Sequence, residues 1–267
     1  MKNVLITGAA SGLGKALAQL YANNGFNVLI VDIQDEIGQC FVTELKTQGK
    51  AAHYYHCNVG LKENFDKLVE EISHDFSHID ILINNAGVAS AGTLEETTQL
   101  EWERLINLDL MSVIYGTKAF LPLLLKSKKG HIVNIASYAG LVNFPGMMTY
   151  NVAKAAVIAF SETLKAELSI NTIGVSVACP AFFQTNLIES MPNATDKTKQ
   201  FINNQMSKSG ISAIDVANDI AQAVCDNTFM VISHKQAKRQ YLFKRLFPNI
   251  FLKKKIKLYQ QMLNKSN

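Results

Sequence analysis

The stretch Thr7–Gly14, TGAASGLG, lies between a short apolar run, Val4–Thr7, and a segment with apolar residues at helical spacing, KALAQLYANNG. Its glycines stand at positions 8, 12 and 14. When a strand, a glycine turn and a helix follow one another, the backbone and the free N–H groups at the helix start can approach a pyrophosphate. The sequence therefore predicts a dinucleotide-binding turn, and the alternative is a tight turn of small residues.

Asp32 ends the second predicted strand, Asn27–Val31, about twenty residues beyond the glycine turn. An acidic residue at this distance hydrogen-bonds the ribose hydroxyls of NAD and would repel the 2′-phosphate of NADP. Neither Ile33 nor Ser11 offers a cation to such a phosphate. We therefore predict NAD rather than NADP as the cofactor. The alternative role for Asp32 is a simple cap at a strand end.

Predicted strands and helices alternate along the rest of the chain. Further strands are predicted at 51–56, 80–83, 131–135, 173–178 and 229–232, and helices at 35–48, 61–76, 98–126 (interrupted by Pro122), from the segment after 137 to about 169, and at 196–208 and 212–225. This alternation implies right-handed crossovers, and so an α/β fold with a doubly wound parallel sheet.

Tyr150 and Lys154 stand four residues apart in the segment Ser137–Lys154, SYAGLVNFPGMMTYNVAK. On a helix this spacing places both side chains on one face. A nearby ammonium lowers the pKa of a phenol, which can then exchange a proton with an alcohol or a carbonyl. Ser137 follows a predicted strand, where open parallel sheets bind ligands. By itself the pair is weak evidence for catalysis, and the alternative interpretation is a solvated helix face.

His53, His56 and Cys57 resemble a metal-binding group on paper. Alternation along a strand would send the two histidines to opposite faces, and no partner ligands at metal-site spacing lie nearby. We therefore predict no metal site.

Composition fits one globular domain. The chain has 267 residues, 48% of them hydrophobic, and its four cysteines are widely spaced. Reduced thiols in a cytoplasmic protein are the expectation for such cysteines. The N-terminus lacks the apolar segment of a signal peptide, and no run of eighteen apolar residues predicts a spanning helix.

Positive charge is concentrated at the C-terminal end. Ten of the 26 basic residues follow Asp226, where no acidic residue occurs, so the preceding part carries a net charge of −6. We expect a domain at 1–234 and a basic amphipathic extension at 235–267, split by Pro248 into two helical pieces. Such a segment can lie on an anionic membrane. The alternatives are a cover for a cleft or a subunit contact, and nothing in the chain supports nucleic-acid binding.

Four motifs occur in the order typical of one family: TGAASGLG, NNAG at Asn84–Gly87, the set Ser137, Tyr150 and Lys154, and a loop from Pro180 to Thr185. Residues 3 to 232 together resemble the short-chain dehydrogenase/reductase family in its compact, single-domain branch. The resemblance implies a Rossmann-type sheet of about seven strands in the order 3-2-1-4-5-6-7. It also implies a homodimer or homotetramer built through the helices near 102–126 and 150–169.

The resemblance further implies roles for individual residues. Tyr150 would be the general acid/base, Lys154 would lower its pKa and bind the nicotinamide ribose, Ser137 would hold the substrate oxygen, and Asn107 would anchor a water in a proton relay. The residues implied to contact the cofactor are Gly8, Ser11, Gly12, Leu13, Gly14, Asp32, Asn58, Val59, Asn85, Ala86, Gly87, Tyr150, Lys154, Pro180 and Thr185.

Two departures from the family pattern stand out. Ala181 replaces the usual glycine after Pro180, so we expect a methyl group that restricts the backbone or crowds the nicotinamide. Asn58 replaces the usual aspartate before Val59, with a small expected effect.

The resemblance places two apolar segments at the substrate cleft. They contain Leu141, Val142, Phe144, Met147 and Met148, and Phe182, Phe183, Leu187 and Met191. An apolar cleft suits a lipophilic alcohol or ketone, such as a steroid, a retinoid or a lipid. The alternatives are an NADP-dependent carbonyl reductase and a non-catalytic dinucleotide-binding protein.

Overall fold

The computed structural model describes residues 1–183, 191 and 196–264. Within them, seven parallel strands form one sheet in the order β3-β2-β1-β4-β5-β6-β7, as the resemblance implies. The strands are β1 (Asn3–Thr7), β2 (Asn27–Asp32), β3 (Ala52–His56), β4 (Ile81–Asn84), β5 (His131–Ile135), β6 (Gly174–Ala178) and β7 (Met230–Val231).

Helices connect the strands, and two follow the last one. They are α1 (Gly12–Asn23), α2 (Asp35–Thr47), α3 (Lys62–Asp75), α4 (Gln99–Ile106), α5 (Ser112–Leu125), α6 (Tyr138–Val142), α7 (Met148–Glu167), α8 (Asp196–Lys208), α9 (Ala213–Asp226), α10 (Lys235–Leu246) and α11 (Pro248–Asn264). The boundaries lie within a few residues of the predicted ones.

The central strands are buried on both faces, which is why they are continuous apolar runs rather than alternating ones. One core cluster joins the sheet to α1, α2 and α9, and a second joins it to α3, α5 and α7. Because all strands run in one direction, their carboxyl ends meet at one edge. The residues that follow Thr7, Asn84 and Ile135 therefore come together at that edge.

A buried polar network fixes the middle of the sheet. The Asn84 side-chain amide donates to Asn134 Oδ1 at 2.9 Å and to Thr117 Oγ1 at 3.1 Å, and the Asn134 amide donates to Ser161 Oγ at 2.9 Å. The bonds link β4 and β5 to α5 and α7. Because unpaired amides would be costly to bury, the network specifies how these elements pack.

The segment 99–125 departs from the predicted single helix. A π-helical turn, Asn107–Met111, separates α4 from α5. The prediction that Pro122 interrupts the helix is wrong, because α5 continues through it to Leu125. With the helix ending so soon afterwards, the proline removes one hydrogen bond, while Leu123 and Leu124 stay buried in the core.

By length and composition alone, Gln99–Leu125 could cross a membrane, although it contains no uninterrupted run of eighteen apolar residues. Its most apolar window has a mean hydropathy of 1.4, and 44% of that window is buried inside the fold. Core helices of folded domains pass the same test, and α5 packs here against α3 and β4. The finding is therefore weak evidence for a membrane span.

The last two helices pack beside α6. The Tyr138 hydroxyl hydrogen-bonds Gln240 of α10, and Lys244 Nζ donates to the Leu141 carbonyl and to Asn143 Oδ1, both at 2.6 Å. Phe251 of α11 packs against the apolar cluster that contains Tyr138. The C-terminal helices thus support the segment that follows Ser137.

Close contact between α6 and α7 requires Gly140. A Cβ at this position would lie 2.6 Å from the Lys154 carbonyl carbon and 2.7 Å from the Ala155 nitrogen. Both atoms belong to the α7 backbone, which cannot rotate away as a side chain can. The glycine therefore lets the segment after Ser137 lie directly on the helix that carries Tyr150.

We expect Gly140→Ala to lower the free energy of unfolding by about 2 kcal/mol, despite the higher helix propensity of alanine, because α6 must move away from α7. Urea unfolding followed by circular dichroism measures the change. An unchanged midpoint and slope would contradict the contact described here.

Candidate active site

A cleft of about 610 Å³ lies at the carboxyl edge of the sheet. It brings together most of the residues predicted from sequence. Those that line it are Gly8, Ser11, Gly12, Leu13, Asp32, Asn58, Val59, Asn85, Ala86, Gly87, Ser137, Tyr150, Lys154 and Pro180. Gly14 lies in the first turn of α1 but does not line the cleft, and Thr185 falls outside the described residues.

Tyr150 and Lys154 lie on the buried face of α7, as their spacing predicts. Lys154 Nζ is 5.7 Å from the centroid of the Tyr150 ring, and Ser137 hydrogen-bonds the Tyr150 side chain. Burial raises the pKa of Tyr150, while the Lys154 charge and the Ser137 hydrogen bond act in the opposite direction. A phenol in this setting can exchange a proton with a bound oxygen.

Ser137 owes its position to the start of α6. It is the residue before the first helical turn, and its hydroxyl accepts a hydrogen bond from the Ala139 N–H at 3.1 Å. The next residue, Tyr138, donates its N–H to the Pro180 carbonyl at 2.9 Å. This hydrogen bond joins the segments that follow β5 and β6, next to Tyr150.

The prediction of Asn107 as a site residue is not supported by its position. Its side chain is exposed and borders a separate surface hollow with Trp102 and Glu103. Asp109, two residues further on, faces Lys154 instead, with 3.4 Å between Oδ2 and Nζ. Two residues correspond to roughly half a helical turn, so the two side chains point in opposite directions.

Asp109 is a site residue that the sequence analysis missed. It is 0% exposed, and its Oδ1 accepts the Val88 N–H at 2.7 Å, while Oδ2 faces Lys154 at ion-pair distance. Burial raises the pKa of this carboxyl, and the Lys154 charge lowers it. Asp109 is the single charged residue between Arg104 and Lys118, and an acidic side chain in that largely apolar stretch was the available signal.

The glycine turn and the NNAG segment contact each other directly. The Asn85 amide donates to the carbonyls of Thr7 and Gly8 at 2.8 and 3.1 Å. Thr7 Oγ1 accepts the N–H groups of Asn85 and Ala86, both at 3.0 Å. Gly8 has φ +64°, and a Cβ there would lie 2.8 Å from Ala86 Cα. Only glycine allows the two segments to approach this closely.

Asp32 caps its own strand end and also borders the cleft. Its carboxylate accepts the N–H groups of Ala10, Ile33 and Gln34 at 2.9, 2.8 and 3.1 Å. The bond from Ala10 joins the carboxylate to the glycine turn. Among the described residues that line the cleft, Lys154 is the single cation, and it belongs to the other end. The Asp32 carboxylate can accept hydrogen bonds from a ribose, and the backbone N–H groups of the glycine turn can donate to a pyrophosphate. Together they fit a dinucleotide.

The two departures noted from the sequence introduce no visible strain. Among the described residues, the non-glycine positions with positive φ are Asn143, Thr172 and Asn227, so Ala181 has ordinary backbone geometry. Asn58 Oδ1 accepts the Gly60 N–H at 3.0 Å, so this side chain stabilises its own turn at the cleft edge.

The histidines of β3 have other partners. His56 Nδ1 lies 2.7 Å from Asp35 Oδ1, and His53 packs edge-on against Phe76. In the part of the chain that the structure describes, no group of three His, Cys, Asp or Glu side chains is arranged to hold a metal.

A sequence model of the family described as short chain dehydrogenase matches residues 2–196. The chain belongs to this family. It is therefore an oxidoreductase with a nicotinamide-dinucleotide-binding Rossmann fold, in a family whose members bind small substrates and are commonly oligomeric.

Individual short-chain dehydrogenases resemble the chain over most of its length. A cyclopentanol dehydrogenase from Comamonas sp. is 29% identical over 86% of this chain and 92% of its own, and a 3-oxoacyl-(acyl-carrier-protein) reductase from Thermotoga maritima is 34% identical over 74% and 80%. A short-chain dehydrogenase/reductase from Burkholderia phymatum, solved in complex with NAD, superposes with a TM-score of 0.87, 27% identity and coverage of 93% and 94%.

We expect Tyr150→Phe to lower kcat by 10²-fold or more, because it removes the proton-exchanging hydroxyl. Steady-state kinetics in both directions, beside fluorescence titration with NADH, would separate lost catalysis from lost cofactor binding. Tyr21→Phe is the matched control, since it removes a buried hydroxyl that has no hydrogen-bond partner. Equal activity of the two variants would contradict the role of Tyr150.

Asn107→Ala tests whether this exposed side chain takes part in the reaction. Because its side chain is exposed and faces away from Lys154, we expect kcat to stay within about twofold of the unmodified protein, as for most exposed side chains. A loss comparable to that of Tyr150→Phe would restore Asn107 to the site.

Proposed function

We propose that the protein is an NAD-dependent oxidoreductase that transfers a hydride between the nicotinamide and a hydrophobic alcohol or ketone. The observation that carries the proposal is the convergence of Ser137, Tyr150 and Lys154 on one wall of a largely apolar cleft. Bound NAD would supply the hydride acceptor. The chain would supply the base, the charge that stabilises it and the group that holds the substrate oxygen.

In oxidation, the alcohol oxygen accepts a hydrogen bond from Ser137 and gives its proton to the Tyr150 oxygen. The ammonium group of Lys154 stabilises the phenolate that receives this proton. In reduction, the same hydroxyl returns the proton to the carbonyl oxygen. The buried setting excludes competing water from this exchange.

The substrate end of the cleft is apolar and aromatic. It is lined by Phe144, Met147, Phe182, Met191, Ile202 and Met206. The Phe144 and Phe182 rings lie 6.2 Å apart, and Phe144 also packs edge-on against Tyr138. No charged side chain lies among these six, which favours a lipophilic substrate over a sugar or a small acid.

Some residues expected at the cleft lie elsewhere. Leu141 and Val142 are buried in the apolar cluster beneath α6, and Met148 is exposed at the start of α7. Phe183 borders the cleft from the core, and Leu187 falls outside the described residues. The apolar end is thus formed by Phe144 and Met147 together with residues that follow Pro180.

The preference for NAD rests on Asp32. Its carboxylate borders the cleft near the glycine turn, where it can accept hydrogen bonds from ribose hydroxyls. A 2′-phosphate there would meet like charge, with Ile33 and Gln34 as neighbours and no cation among the described lining residues at that end.

NADH formation from NAD with a panel of hydrophobic secondary alcohols tests the reaction, with charged hydroxy acids and sugars for comparison. We expect turnover with the apolar alcohols and tighter binding of NADH than of NADPH. Asp32→Ala should reduce that cofactor preference at least tenfold, since removing a like charge favours the phosphate. Turnover of sugars or acids alone, or tighter NADPH binding, would contradict the proposal.

We also propose a homodimer or homotetramer that uses the outer faces of α4, α5 and α7. Leu100 is 76% exposed, Leu125 47% and Val152 43%, and a hollow beside Trp102 lies on α4. Large apolar side chains that are exposed on a surface favour its contact with another surface.

The C-terminal helices support a further proposal, a cytoplasmic protein bound peripherally to an anionic membrane. Exposed large apolar residues alternate there with basic ones over α10 and α11. The apolar set is Leu242, Leu246, Phe247, Ile250, Leu252, Ile256 and Leu258, and the exposed basic set includes Lys238, Arg239, Arg245, Lys253, Lys254 and Lys257. A basic amphipathic surface of this kind binds anionic headgroups through charge and the acyl boundary through its apolar groups.

The position of these helices favours a link between membrane and substrate. Gln240 contacts Tyr138, a residue that lines the cleft, and Lys244 contacts the end of α6. A lipophilic substrate dissolved in the bilayer would therefore enter close to the surface that binds the membrane. The four cysteines are free thiols, in keeping with the reducing cytoplasm.

Co-sedimentation with phosphatidylcholine vesicles, with and without phosphatidylglycerol, tests the membrane proposal. We expect binding only to the anionic vesicles and its loss in 0.5 M salt, because the attraction is screened. Replacing Lys253, Lys254 and Lys257 with glutamate should abolish binding. The same replacement of Lys126, Lys128 and Lys129, exposed outside the tail, should leave it unchanged. Equal effects of both triple variants would overturn the proposed surface.

A further inference from the structure

A carboxylate lies directly behind the lysine that is proposed to activate Tyr150. Asp109 is fully buried in the π-helical turn, and its Oδ2 forms an ion pair with Lys154 Nζ across 3.4 Å. Lys154 itself is 4% exposed. A fully buried carboxylate is costly to retain even when it is paired with an ammonium, so its presence beside the reacting group calls for a function.

The surroundings hold this pair in place. The Val88 N–H binds Asp109 Oδ1 at 2.7 Å, and Lys154 Nζ also donates to the Ile135 carbonyl at 3.3 Å. A Cβ on Gly87 would lie 3.0 Å from Asp109 Oδ1 and 3.1 Å from Lys154 Nζ. The glycine of the NNAG segment therefore covers the pair closely, and a larger residue there would separate the two charges.

Charges reach Tyr150 from several elements. Lys154 on α7 favours the phenolate, whereas the Asp109 charge opposes it. Arg104 on α4 acts on Asp109 from a greater distance, and burial raises the pKa of the Cys179 thiol after β6 to about 12, which keeps it neutral. Asp109 is thus the one group in this set whose charge counteracts that of Lys154 at the phenol.

We propose that Asp109 is a positioning residue that fixes the Lys154 ammonium and, through its negative charge, sets the pH at which Tyr150 accepts a proton. The inference rests on the proposed reaction. With the carboxylate present, Tyr150 stays protonated to higher pH than it would beside a neutral side chain. Oxidation therefore begins at higher pH, and Tyr150 remains available as an acid for reduction near neutrality.

Asp109→Asn keeps the shape and removes the charge. We expect the acidic limb of the kcat profile for alcohol oxidation, measured with the intact enzyme and saturating NAD, to move to lower pH by about one unit. The basic limb for ketone reduction should move in the same direction. A purely structural role would lower kcat without moving either limb, and that result would overturn the proposal.

Two variants complete the comparison. Asp66→Asn removes an exposed carboxylate that pairs with Lys62 on α3, and it should leave both limbs in place. Asp109→Glu restores the charge and should return the limbs towards their original pH. Should Asp109→Asn not fold, Asp109→Ser is smaller, equally neutral and expected to give the same shift.

A second readout separates this proposal from the proposed reaction. Tyrosine labelled with ¹³C at the ring carbon that bears the oxygen reports ionisation by NMR without turnover, and Tyr150→Phe identifies the signal. In Asp109→Asn, Tyr150 should ionise at lower pH even if no alcohol in the panel is oxidised. Unchanged ionisation would overturn the role of Asp109, whereas absent turnover with shifted ionisation would count against the reaction alone.

Discussion

A buried ammonium group, that of Lys154, is the constraint on which the functional end of this protein depends. An ammonium that is almost completely removed from water must be compensated by charge and hydrogen bonds. Here the compensation comes from three directions: the Asp109 carboxylate, the Ile135 carbonyl and the Tyr150 ring. Each belongs to a different element, so the position of one charge fixes how α7, β5 and the π-helical turn meet.

The partner of this ammonium lies in the π-helical turn between α4 and α5. A regular helix from Gln99 to Leu125 would bury one continuous apolar face. A carboxylate would not be expected on that face. The wider turn at Asn107–Met111 rotates the following residues, and Asp109 sits within it, facing Lys154. Asn107 remains outside. Local irregularities of this kind are frequent at functional sites because regular geometry seldom aims a side chain where chemistry needs it.

Much of the architecture could be predicted from the sequence because its signals are local. Apolar runs such as Asn27–Asp32 identify buried strands, and the four-residue spacing of Tyr150 and Lys154 places them on one face whatever surrounds them. Local spacing could not show that Asp109, rather than Asn107, faces Lys154. Helical phase across residues 99–125 depends on a π-turn that apolar spacing does not reveal, and an error of two residues reverses the direction of a side chain. The support of α6 by Gln240 and Lys244 joins positions about a hundred residues apart, which no local pattern encodes.

The same long-range contacts join the short helix α6 to the basic C-terminal helices. Lys244 donates to the carbonyl of Leu141 at the end of α6, and the start of α6 is capped by Ser137. A helix of five residues has too few internal hydrogen bonds to hold its own position. Contacts at both ends therefore determine where the Ser137 hydroxyl stands relative to Tyr150. Since one of these contacts comes from the basic C-terminal helices, the position of the Ser137 hydroxyl depends on how those helices pack against α6.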